Sequence, residues 1–327
     1  MTPLTSRNKK LLSYLVKFGI LGLAFFFVYR GILNNEGKLK EFKVMVAHVS
    51  INAVVTVLIL VVLLMIANWV LESLKWRYVT KKIAQISVWK AIEAVFCGLT
   101  WAVFTPNRIG EYGGRTMFLP SRKRIYGVLM MAVGSFGQIV TTCVLGALSF
   151  GWFLFAFVHP NLWAKPAIVF LILAYVTTVL VLYFNIRWFV YLLNKVKFLK
   201  KYHRFFDIMG NYPLSGLVKI IGFCVARVLV FTLQYCLIIN LLIPEIPVYQ
   251  IIGLMFVFFF IQSAMPSLDI LDIGVRSLTA DKIFGYVTNQ HIAIIVAVSL
   301  IYLVNLIIPA ILGSVFVFKM KLFDRAE

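Results

Sequence analysis

The chain has 327 residues, of which 62% are hydrophobic and 13% charged, with 32 Lys and Arg against 12 Asp and Glu. Apolar runs of about 20 residues, enough to cross a bilayer, recur along it, which excludes a soluble core and predicts an all-α polytopic membrane protein. A net charge of +20 would suit nucleic acid in a soluble protein, but here the cations collect at the ends of apolar runs, so no nucleic-acid partner is expected.

The first expected span is Leu11–Leu33, behind Arg7, Lys9 and Lys10; no small-residue cleavage site follows it, so it reads as an uncleaved span with the N-terminus inside. Residues 34–43 read as a mixed-charge loop, and Val44–Val70 as the second span, with Trp69 and Trp76 at the interface and Glu72 and Lys75 on one helical face. Arg77, Lys81 and Lys82 mark that end as cytoplasmic. Further spans are expected at Ile125–Val158, Pro166–Ile186, Leu214–Ile243 and about His291–Phe318, the last ending at Lys319, Lys321 and Arg325 in the cytoplasm. Between them, 187–204 interleaves basic and aromatic residues and reads as a cytoplasmic amphipathic helix lying on anionic headgroups.

Two stretches break this pattern. Residues 83–104 hold only Ala94–Phe104 as a clean apolar run, too short to span, followed by Thr105-Pro106-Asn107-Arg108-Ile109-Gly110-Glu111-Tyr112-Gly113-Gly114-Arg115. Pro106 removes a backbone donor and Gly110, Gly113 and Gly114 loosen the helix, which at membrane depth is tolerated only where protein or a polar cavity satisfies the backbone. Basic clusters flank the segment on both sides, so about 83–121 is expected to enter and leave by the cytoplasmic face. The second stretch, about 248–290, carries Pro266, Asp269, Asp272, Gly274 and Arg276 behind an apolar run, and span parity makes it enter and leave from outside. Six spans with two re-entrant broken segments from opposite faces form an inverted-repeat-like pattern, whose broken helices mark a substrate site near the midplane. Most of the lysines and arginines fall in the expected cytoplasmic stretches, against Arg30, Lys38, Lys40, Lys43 and Lys165 in outer loops.

The string from Thr105 to Glu111, with Arg115, resembles the signature loop of the lysylphosphatidylglycerol synthase transmembrane region, or flippase-like domain family, and the resemblance covers nearly the whole chain as a single domain, 1–327. The synthase members carry a soluble aminoacyl-transferase domain after the membrane part; here the sequence ends at Glu327, so the resemblance implies transport without synthesis. The second loop keeps Gly274-Val275-Arg276 of the family's form without its preceding glycine pair or final glutamate.

Charges buried in a bilayer cost at least ~2.5 kcal/mol and usually face a cavity or one another. Arg108, Arg115, Arg227 and Arg276 against Glu111, Asp269 and Asp272 leave one positive charge over, which matches a phosphodiester gripped by forked guanidinium bonds. The candidate substrate-binding residues are therefore Arg108, Glu111, Arg115, Arg227, Asp272 and Arg276, with Glu111 expected to pair with an arginine, and the candidate hinges are Pro106, Gly110, Gly113, Gly114, Pro266 and Gly274. Cys97, Cys143, Cys224 and Cys236 read as small buried hydrophobes, His48, His159, His203 and His291 lack ligand spacing, and no cofactor, metal or nucleotide-binding motif is found. The function these residues predict is movement of a phosphate-containing lipid or lipid-linked head group between leaflets of a bacterial cytoplasmic membrane. A membrane-embedded transferase on polyprenyl phosphate, or a non-catalytic envelope-assembly factor, are the alternatives.

Overall fold

A computed structural model describes residues 36–103, 105, 108–195, 210, 212–265 and 272–319, with a few positions between 15 and 29. These are mostly helical, with no strand among them, and five helices are long and apolar enough to cross a membrane: Ile51–Thr80, Ser121–Val158, Ala164–Phe184, Leu214–Leu242 and His291–Val317. The chain is thus an integral membrane protein by its helices. Most of the expected Leu11–Leu33 span, with Pro106, Pro266 and Asp269, lies outside the described residues.

In chain order the helices are α1 (Glu36–Met45), α2 (Ile51–Thr80), α3 (Val88–Ala102), α4 (Ile109–Thr116), α5 (Arg124–Phe153), α6 (Ala164–Phe184), α7 (Ile186–Lys195), α8 (Leu214–Leu242), α9 (Val248–Ala264), α10 (Asp272–Phe284) and α11 (His291–Val317). Two expectations fail here. The stretch read as a loop is the helix α1, carrying an i,i+4 pair between Glu36 and Lys40. The second span begins not at Val44 but at Ile51 and runs on to Thr80, about 45 Å, so its polar last turns belong to the same helix as its apolar first ones.

The axis of the bundle is an antiparallel pair, α2 against α8. Gln234 Nε2 donates to the Val61 carbonyl at 2.8 Å, Arg227 Nε to Asn68 Oδ1 at 3.0 Å, and the Tyr212 hydroxyl, just before α8, to the Val79 carbonyl at 2.5 Å. Because the pair is antiparallel, α3 leaves from one end of the bundle and α9 from the other. Helix α3 then packs on α11, and α9 on α5. Along α3, Thr100 Oγ1 donates to the Ala310 carbonyl of α11 at 3.0 Å and Glu93 meets Lys319 at 2.5 Å. Along α9, Phe260 lies on α5 at Gly146, where an added Cβ would come within 2.3 Å of the Phe260 Cβ, and the Trp152 ring covers Gly253.

The first short arm, α3 with α4, doubles back. Gly114 of α4 lies so close on α3 that a Cβ there would sit 2.7 Å from the Gly98 Cα, and one on Gly110 would sit 2.4 Å from the Trp101 carbonyl oxygen. Only glycine allows these approaches, and they fold α4 back along α3. On the other side Ser277 of α10 bonds Ser299 of α11 at 3.1 Å and Asp281 meets His291 at 2.7 Å. The expected hinge Gly274 is different: it is exposed, and a Cβ there would meet nothing within 4 Å. Helix α6 packs along α5 and is otherwise largely exposed; Tyr175 sets its ring edge-on to Phe260 of α9, and the buried Tyr183 hydroxyl donates to the Leu217 carbonyl.

Candidate functional site

The site forms where α4 folds back against the polar last turns of α2, opposite α8. Asn68, Glu72 and Lys75 are spaced to share one face of α2, and Glu72 lies about 12 Å before the end of that helix. Arg108 immediately precedes helix α4 as its N-cap, and its backbone is left-handed at φ 56°, an uncommon state for a residue with a side chain. Thr105 Oγ1 accepts from the Gly110 amide at 2.8 Å, holding the first turn. Arg108, Glu111 and Arg115 follow at i, i+3 and i+7, one face of a short helix.

Glu72 is the hub. It accepts from Arg115 Nη1 at 2.6 Å, lies 2.7 Å from Lys75 Nζ, and also accepts from Arg227 Nη1, so one carboxylate ties together α2, α4 and α8. Arg115 spans both acids, since its Nη2 bonds Glu111, and Glu111 in turn lies 3.1 Å from Arg108 Nε. Arg227 is further held by Asn68 and by Gln138 Oε1 of α5 at 3.2 Å. Two indoles complete the shell: the Trp69 ring lies 5.9 Å from the Arg108 guanidinium and 5.5 Å from that of Arg227, and the Trp76 ring 6.0 Å from that of Arg115. Glu72, Lys75, Glu111 and Arg115 are buried, whereas the Arg108 side chain is 36% exposed and that of Arg227 16%. The inner ion pairs therefore fix the architecture, and Arg108 and Arg227 form the accessible rim.

The sequence expectations fare unevenly. Arg108, Glu111, Arg115 and Arg227 come together, and Glu111 pairs with arginines. Arg276 stands on α10 and lies 5.5 Å over the Tyr302 ring of α11. Asp272 starts α10, and its side chain lies outside the described residues. Trp69 and Trp76 are not interfacial anchors; both are buried under the site cations. Glu72, Lys75, Asn68 and Gln138 were not among the candidates. The signal for the first three was present, as polar residues at i, i+4 and i+7 in an otherwise apolar helix.

The chemistry of the cluster is one-sided. Buried Trp69 Nε1, Trp76 Nε1 and Arg115 Nε have no acceptor among the described residues, in a region already holding four cations to two carboxylates. The cluster is thus rich in donors and positive charge and poor in acceptors among the described residues. Beyond the span, Tyr212 closes the α2–α8 pair, with Lys82 Nζ 4.2 Å over its ring, and burial pushes its phenol well above the ordinary value. An open cleft of about 460 Å³ lies at the same end, lined by Leu74, Arg77, Tyr78, Lys81, Gln85 and Phe223 among others.

Comparison with protein-family models, with curated proteins and with solved structures gives no match.

Proposed function

We propose that the protein moves a phosphate-containing lipid or lipid-linked head group across a cytoplasmic membrane, with the head group held by Arg108 and Arg227 over the Trp69 ring and the tails left in the bilayer. The observation that carries this reading is the donor-rich, acceptor-poor cluster itself. A phosphate offers only acceptors and negative charge, and guanidinium forks match its oxygens. Arg115, with both terminal nitrogens on carboxylates, positions the others.

The paired packing supports a translocation path. In this reading α3 with α4, and α9 with α10, are re-entrant hairpins entering from opposite faces of an inverted repeat, and N- and C-termini are cytoplasmic. The antiparallel α2–α8 axis and the reciprocal packing of α3 on α11 and α9 on α5 support it. Arg77 and Lys81 in the cleft at the end of α2 attract anionic heads to the mouth of the site, and exposed Trp188 and Tyr191 with Lys195 on α7 suit the headgroup layer.

The test is purified protein in liposomes carrying a phosphate-headed lipid, assayed for leaflet exchange and, by mass spectrometry, for chemical change. Exchange of unaltered lipid is expected. A covalently altered lipid would instead make the cluster the site of a transferase.

A further inference from the structure

The net charge of the cluster says which phosphate it takes. Glu72 and Glu111 face Lys75, Arg108, Arg115 and Arg227, so the described side chains carry two positive charges in excess. Arg108 and Arg227 are already paired, so the excess is one of charge, whatever bonds each side chain makes. A singly charged phosphodiester would leave part of this excess uncompensated in a low-dielectric surrounding, and a zwitterionic head would leave all of it.

Resting on the phosphate-lipid reading above, we propose that the site selects a head group bearing two negative charges, a phosphomonoester or diphosphate, over a phosphodiester. Two guanidiniums beside one indole suit such a head: Arg227, with Nε and Nη1 held by protein acceptors, brings Nη2 and its charge to it, Arg108 brings a second charge, and the Trp69 ring carries both cations.

The experiment measures binding of purified protein to nanodiscs of phosphatidylcholine doped with either phosphatidic acid or phosphatidylglycerol of identical chains. At pH 8 the monoester is doubly charged, its second pKa being about 6, and the diester singly charged. The wild type is expected to bind phosphatidic acid about tenfold tighter or more. Asn68→Asp is nearly isosteric and keeps an acceptor for Arg227 Nε, but brings the excess down by one, so its preference should collapse toward parity. Equal binding of both lipids by the wild type overturns the proposal while leaving the phosphate-lipid reading intact. Binding of neither above the phosphatidylcholine background overturns both. A preference that Asn68→Asp leaves unchanged shows that this cluster does not set it, and also overturns the proposal.

Discussion

Glu72→Gln is the sharpest perturbation of the cluster, because it removes one charge from under three cations while changing almost no volume. Each of the Glu72 pairs is worth about 4 kcal/mol in gross attraction at ~4 Å and an effective dielectric of ~20. Much of that only offsets desolvation, and breaking a buried pair from one side typically costs about 3–5 kcal/mol. The three pairs share one carboxylate, so the cost is incurred once and we expect about 3–5 kcal/mol. At roughly 2 °C per kcal/mol, the unfolding midpoint in detergent should fall by about 6–10 °C. Glu93→Gln is the control: its partner Lys319 is half exposed, so the loss should stay near ~1 kcal/mol. Adding Lys75→Met to Glu72→Gln removes one orphaned cation and should recover part of the loss, with a coupling of about 0.5–3 kcal/mol. A Glu72→Gln protein that melts with the wild type would refute the claim that this carboxylate ties α2, α4 and α8 together.

Gly114→Ala should cost about 1–3 kcal/mol and prise α4 from α3, because the new methyl meets the Gly98 backbone, whereas Gly222→Ala, with nothing within 4 Å, should be neutral or stabilising in thermal melts. Cysteines introduced at Lys82 and Ser121 should both react with an impermeant reagent from the cytoplasm, and ones at Glu245 and Asn289 both from outside; opposite-side labelling within either pair contradicts the matching hairpin.

The helical class and most long spans were legible because apolar runs of membrane length admit few other structures, and α5, α8 and α11 lie close to where the sequence puts them. The α4 half of the site was legible for a local reason: Arg108 stands just before, and Glu111 and Arg115 within, one short helix beside glycines, and charge next to glycine behind an apolar run has no ordinary reading. The hub was not. Glu72 sits near Arg77, Lys81 and Lys82, so it reads as part of a solvated helix end, and its partners Arg115 and Arg227 are 43 and 155 residues away. Trp69 and Trp76 were misplaced for the same reason, since an indole near a basic helix end looks like an interfacial anchor until α4 and α8 are seen to cover it. The membership of the cluster also differs from the sequence count: Lys75 and Glu72 enter it, and Arg276 lies over Tyr302.

The most direct measurement of the central claim is leaflet exchange of a phosphate-headed lipid in proteoliposomes made with wild type, Arg108→Ala and Arg227→Ala, each first shown to be folded by its melting curve. Losing one charge-assisted contact in a low-dielectric site costs on the order of 2 kcal/mol, more than a tenfold effect. The account predicts exchange of chemically unchanged lipid by the wild type and a loss beyond about tenfold in each folded variant. Folded Arg108→Ala and Arg227→Ala proteins that exchange the lipid at the wild-type rate would contradict it.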